Sequence, residues 1–183
     1  MSSVIDRIKN ITARYHFKKE MAGHKRHKQF VSLANAKYVG LAYYLDNDQT
    51  YSVVSSFVKS LQDKQIKVKA MGYVKDKYLT QRYLPKMTFD FFYEKDLNWF
   101  HKPGGNYVKD FLNEEFDIFI DLTMEEQLPI KYIAGKANAR FKVARYCETN
   151  KDIFDMLIKV EEGAGIDKLI NEINHYLTII NSH

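Results

Sequence analysis

A chain of 183 residues and 21.6 kDa is long enough for one substantial domain and short for two. With 45% hydrophobic and 28% charged residues, 8 Gly and 3 Pro, it is neither a disordered chain, a fibrous repeat nor a membrane-embedded bundle. Its net charge of +5 is uneven: residues 1–37 hold nine Lys/Arg against Asp6 and Glu20, a net +7, which leaves −2 for the rest and points to an anionic partner.

Residues 3–21 read as a helix. Val4, Ile5, Ile8, Ile11 and Tyr15 fall at 3–4 spacing and form one stripe, expected to pack inward while the cations face out. Gly23 ends the pattern, and His24-Lys25-Arg26-His27-Lys28 follows as a dense basic cluster. Tyr38 to Leu45 is almost continuously apolar, which suits a strand buried on both faces of a parallel sheet. Asp46-Asn47-Asp48 then reads as a turn and helix cap, and Thr50 to Leu61 repeats apolar residues at helical spacing. Ile66 to Val74 alternates as a strand, completing a strand–helix–strand unit of the right-handed kind.

Further strands are expected at Met87 to Tyr93, Phe116 to Leu122 and Ala139 to Tyr146. Helices are expected at Tyr107 to Leu112, at Glu125 to Ala137 with Pro129 in the first turn, and at Ile166 to Ile180. Ile153 to Val160 is a last apolar segment. This alternation predicts an α/β, Rossmann-like sandwich with a mainly parallel sheet, preceded by a basic N-terminal helix. The expected division is a basic amphipathic arm over 1–36 and a single α/β domain over 37–183.

Cys147 is the only cysteine, so no internal disulfide forms, and a small buried apolar role is the expectation. No secretory signal and no 18-residue apolar run is visible, which favours a cytoplasmic location. Two sets of polar residues stand at strand ends, where parallel sheets bind ligands. They are Asp46 with Asp48, and Asp121 with Thr123 followed by Glu125 and Glu126. The two carboxylates of the first set are of a kind that holds a divalent cation, but a turn and helix cap is the preferred reading there, and the second set reads equally well as a cap. Pro103-Gly104-Gly105 lacks the spacing of a phosphate loop, His24 and His27 lack partners at metal-site spacing, and no catalytic set can be nominated. No cofactor or obligate small molecule is named by any motif.

The run Phe116 to Leu122, with Ala139 to Arg145 after the next helix, resembles the N-terminal Rossmann-like half of heptosyltransferase-type glycosyltransferases over about 30 residues. The chain as a whole, through its basic start, Tyr38 to Ala42 and Phe116 to Leu122, is similar to a family of uncharacterised single-domain proteins of Bacteroidota. The first resemblance implies a degenerate or borrowed fold, because the second domain that completes such a transferase has no counterpart; the second carries no activity.

The basic arm is the leading functional feature. Arg7, Arg14, Lys18, Lys19, Lys25, Arg26 and Lys28 are set out to neutralise phosphates, with Tyr15, His16, Phe17 and Phe30 interleaved for stacking. They point to a non-enzymatic protein attached to RNA or the ribosome. Two other readings stand beside it: a small-ligand site at the strand ends near Asp46, Asp48, Asp121 and Thr123, and an arm lying on an anionic membrane surface.

Overall fold

The computed structural model describes residues 4–23, 26–75 and 83–180. Its elements in chain order are α1 (Val4–Met21), β1 (Tyr38–Leu45), α2 (Asp48–Asp63), β2 (Lys67–Val74) and β3 (Phe89–Tyr93), then α3 (Asn106–Asn113), β4 (Glu115–Asp121), α4 (Leu128–Lys136), β5 (Asn138–Arg145), β6 (Met156–Ile158) and α5 (Ile166–Ile179). The six strands form one all-parallel sheet in the order β3-β2-β1-β4-β5-β6. The order reverses between β1 and β4, where doubly wound sheets open a crevice beyond their carboxyl ends. The protein is therefore an α/β fold of Rossmann-like topology.

Both faces of the sheet are covered, which is why β1 carries no charged side chain and β4 is apolar except at Glu115, Asp117 and Asp121. One face packs Leu41, Tyr43 and Leu45 of β1 against Val54, Phe57 and Leu61 of α2 and Leu169, Ile173 and Leu177 of α5. The other packs Phe116 and Phe119 of β4 against Val108 and Phe111 of α3 and Ile130 and Ile133 of α4. Gly40 makes room for this second layer: a Cβ there would stand 2.9 Å from the Phe116 ring. The edge strand β6 keeps only three residues of the apolar run around it.

Residues 26–36 pack as part of the domain. Val31, Leu33 and Ala36 enter the α5-side core, the Leu33 N–H donates to Leu177 O at 2.9 Å, and the Gln29 N–H donates to Arg140 O at 3.0 Å.

α1 lies along α4, with the opposite face inward from the one its hydrophobic spacing predicts. Ile8, Ile11 and Tyr15 are 56%, 69% and 66% exposed, whereas Ala13 is fully buried. Phe17 meets Tyr132 edge-on at 5.0 Å, and the Tyr132 hydroxyl donates to Ala13 O at 3.4 Å. The physical reason is the surface beneath: Lys102 and Lys136 lie there and pair with Glu20 at 2.6 and 3.5 Å, and Glu126 pairs with Arg14 at 2.9 Å. A charged bed selects the face of the helix that carries matching charges and small side chains.

Candidate functional site

The site begins at the end of β4. Asp121 is the strand's last residue, level with Ala42 of β1 and Ala144 of β5, and so stands beside the reversal in strand order. Its side chain is buried, and Oδ1 accepts the Thr123 N–H at 2.8 Å. Burial pushes this carboxyl up to about 6, against the opposing pull of the Thr123 hydrogen bonds and of Lys131 and Arg145. Asp121 and Thr123 line a narrow crevice with Lys131, Arg145, Cys147 and Asn150, the last three delivered by β5 and the turn after it. The crevice holds about 20 Å³, room for one water-sized group.

Lys131 sits in α4 among apolar neighbours and is 5% exposed. Its ammonium donates to the Thr149 hydroxyl and stands 3.5 Å from the Glu126 carboxylate. Burial lowers its pKa, and Glu126 opposes the shift. The Thr149 hydroxyl is also 3.3 Å from Glu126 and 3.2 Å from Cys147 Sγ. That hydrogen bond, ahead of the nearby Lys131 charge, holds the Cys147 thiol below its ordinary pKa. Cys147 is half-buried on the crevice wall, not sunk in the core. Asn150 is buried; its Nδ2 donates to Arg145 O at 2.9 Å, while Oδ1 finds no partner among the described residues.

Beyond Lys131 the crevice meets a groove of about 700 Å³ between α1, α4 and the turn after β5. Phe17, Met21, Leu128 and Ile153 give it apolar walls, and Arg14, Lys18 and Lys131 give it cations. The Arg14–Glu126 ion pair lines this groove and also a hollow of about 280 Å³ that reaches Tyr73 and His101. Among the described residues no group of three or more His, Cys, Asp or Glu is placed to hold a metal ion.

The structure separates the residues that the sequence set side by side. Asp46 turns to α2, where its Oδ1 accepts the Thr50 hydroxyl at 2.5 Å, and Asp48, the first residue of α2, accepts the hydroxyl of Tyr83 from the segment before β3. The cap itself is Asn47, whose Oδ1 accepts the Thr50 N–H at 2.8 Å.

Among the arm cations, Arg7, Lys18 and Lys19 are exposed on α1, and Lys28 is 3.6 Å from Asp155 with its side chain largely in solvent. Arg26 is committed inward. Its side chain is 5% exposed, donates to Ala139 O and Arg140 O at 3.1 Å each, and pairs with Asp155. Lys25 lies outside the described residues. Beside Arg26, Lys142 is buried and donates to Ala134 O at 2.6 Å; burial and the Arg26 charge lower it to about 7.

Sequence reasoning missed Lys131, Arg145, Thr149 and Asn150, and gave Cys147 a core role. Two signals were present. A single lysine interrupts the apolar run Leu128-Pro-Ile-Lys-Tyr-Ile-Ala134, and Arg145 to Asn150 follow a strand as directly as Thr123 does. No curated protein and no solved structure matches the chain. Residues 9–180 match a family of unknown function, DUF6913, and the chain belongs to that family.

Proposed function

We propose that the protein binds a small amphipathic molecule at the carboxyl edge of its sheet. The polar head sits at the mouth of the crevice at the ends of β4 and β5, with one water-sized group reaching into it, and the apolar body lies in the groove beneath α1. One observation carries this reading: Asp121 and Lys131, each 5% exposed, converge with Arg145 and the unpartnered Oδ1 of Asn150 at the mouth of a groove with apolar walls. A buried polar group carries a desolvation cost unless it is satisfied, and a ligand donor would satisfy Asn150 Oδ1, while Asp121 and Lys131 already hold Thr123, Thr149 and Glu126. Placement beside the reversal in strand order is where such sheets take ligands. The likeness to the N-terminal half of heptosyltransferase-type transferases points to the same place, since its two runs, Phe116–Leu122 and Ala139–Arg145, supply Asp121 and Arg145.

Attachment to RNA or the ribosome through the arm is the weaker proposal. Arg14 is tied to Glu126 and Arg26 to Asp155, so the described phosphate footprint shrinks to Arg7, Lys18, Lys19 and Lys28.

Cys147 is the chain's single cysteine and reports directly on the crevice. The test is its alkylation rate by iodoacetamide in the presence of a panel of short-chain carboxylates, amino acids and sugar phosphates, with thermal melting alongside. A ligand is expected to slow alkylation and raise the melting temperature of the wild type, and to do neither in Lys131→Met. A panel that leaves both readouts unchanged, or protects Lys131→Met equally, would overturn the reading.

A further inference from the structure

We infer that the outer face of α1 docks on an anionic lipid surface. Ile8, Ile11 and Tyr15 stand at i, i+3 and i+7, so they form one stripe along the helix, and each is more than half exposed. Arg7 and Lys18 flank the stripe on one side and Lys19 on the other, all three exposed. The inner face is held down along its length. Lys9 lies over the Trp99 ring at 5.5 Å, the His16 ring lies tilted against Phe100 with centroids 3.9 Å apart, and Met21 covers Gly135. The helix is thus fixed flat against the domain with an apolar stripe and its cations turned to solvent, the posture of a helix that lies in a membrane interface. No helix among the described residues is long and apolar enough to cross a membrane, so the contact is peripheral.

Charge complementarity selects an anionic partner, because Arg7, Lys18 and Lys19 stay exposed beside the stripe while Arg14 and Arg26 are paired with Glu126 and Asp155. The side chains choose among anionic partners. Two isoleucines gain nothing from phosphate or base edges, whereas the boundary between headgroups and acyl chains rewards aliphatic carbon. Three apolar residues make a weak anchor alone, and the flanking cations supply the second signal that stable attachment needs.

The experiment is co-sedimentation of the full-length chain with vesicles of phosphatidylglycerol and phosphatidylcholine, and with phosphatidylcholine alone, at low and moderate salt. Emission from Trp99, the only tryptophan and 59% exposed beside α1, gives a second readout. Binding is expected only to the phosphatidylglycerol vesicles and is expected to weaken with salt. Lys18→Glu/Lys19→Glu is expected to lower the affinity at least about tenfold, and Ile8→Ser/Ile11→Ser is expected to lower it several-fold with no change in charge. All four positions are exposed, so melting temperatures should match the wild type and exclude misfolding. Absence of vesicle binding at low salt would overturn the inference. So would unchanged vesicle binding by Ile8→Ser/Ile11→Ser with tight binding of a structured RNA, which would assign the surface to nucleic acid.

Discussion

Two strand ends that look alike in the sequence behave differently in the fold. After β1 the chain reads Asp46-Asn47-Asp48, and after β4 it reads Asp121-Leu122-Thr123. The first connection has only Asp46 and Asn47 between strand and helix, and the second has residues 122–127. A two-residue connection leaves its polar side chains within reach of the next helix's first turn: Asn47 accepts the Thr50 N–H as the cap, and Asp46 accepts the Thr50 hydroxyl. The longer connection carries the start of α4 away, so Asp121 stays buried at the sheet edge and meets cations from other elements. The role of an acid at a parallel strand end therefore depends on the length of the connection to the next helix: short connections make caps, longer ones leave room for a site.

The largest expected effect lies at the second end. Asp121 has a folded-state pKa of about 6 against an ordinary 3.8, so its protonation favours the folded protein. The stability it contributes is complete below pH 3.8 and is lost as pH rises through 6. The span is about 3 kcal/mol by the linkage relation. Asp121→Asn should remove that dependence: the difference in unfolding free energy between variant and wild type should grow in the variant's favour from about pH 4 to about pH 7. Urea melts at several pH values would show it. A variant less stable than the wild type at neutral pH would mean that Asp121 is structural like Asp46, and the contrast between the two ends would fall.

Asn47→Ala tests the other end. Loss of the cap should cost about 1 kcal/mol in the same melts, while the Cys147 alkylation rate stays at its wild-type value. A change in that rate would show that the cap and the crevice are coupled.

The sequence made the sheet legible because parallel strands covered on both faces are largely apolar runs, unbroken in Tyr38–Leu45 and interrupted only by Asp117 and Asp121 in Phe116–Leu122. It also placed Asp121 and Thr123, since the end of such a run is visible. The remainder of the site was hidden by its assembly. Lys131, Cys147 and Thr149 come from a helix and a turn 10 to 28 residues beyond Asp121, and only the parallel pairing of β4 with β5 brings them together. The orientation of α1 was hidden for a different reason. Hydrophobic spacing identifies an apolar stripe but not the surface that the helix meets, and the surface here is charged. Ala13, between Thr12 and Arg14, carries no signal of its own in the sequence, yet it is the one fully buried residue of the helix among those described.

Thr149 refines the comparison within the crevice. Its hydroxyl is the first cause of the depressed Cys147 thiol, so Thr149→Val should raise the pH at which iodoacetamide reacts half-maximally. The net hydrogen bond involved is on the order of 1 kcal/mol, and some of it returns if water replaces the hydroxyl. An unshifted alkylation profile would place Cys147 outside the Lys131–Thr149–Glu126 network and reduce the crevice to its β4 side.

The smallest change in stability should accompany the clearest division between structure and binding. Arg14 reaches Glu126 from α1 with a side chain 55% exposed, and a pair of that kind contributes under about 0.5 kcal/mol. Arg14→Gln should therefore melt like the wild type. Yet Arg14 lines both the groove and the hollow toward Tyr73, and Glu126, once released, is left with Lys131 and Thr149 alone among the described residues. Any compound that protects Cys147 in the wild type should protect it less well in Arg14→Gln, by several-fold in apparent affinity. Protection and melting temperature both unchanged would confine the binding residues to β4, β5 and α4. Both falling together would make Arg14 a clamp that holds α1 in place, and the second strand end would then prove as structural as the first.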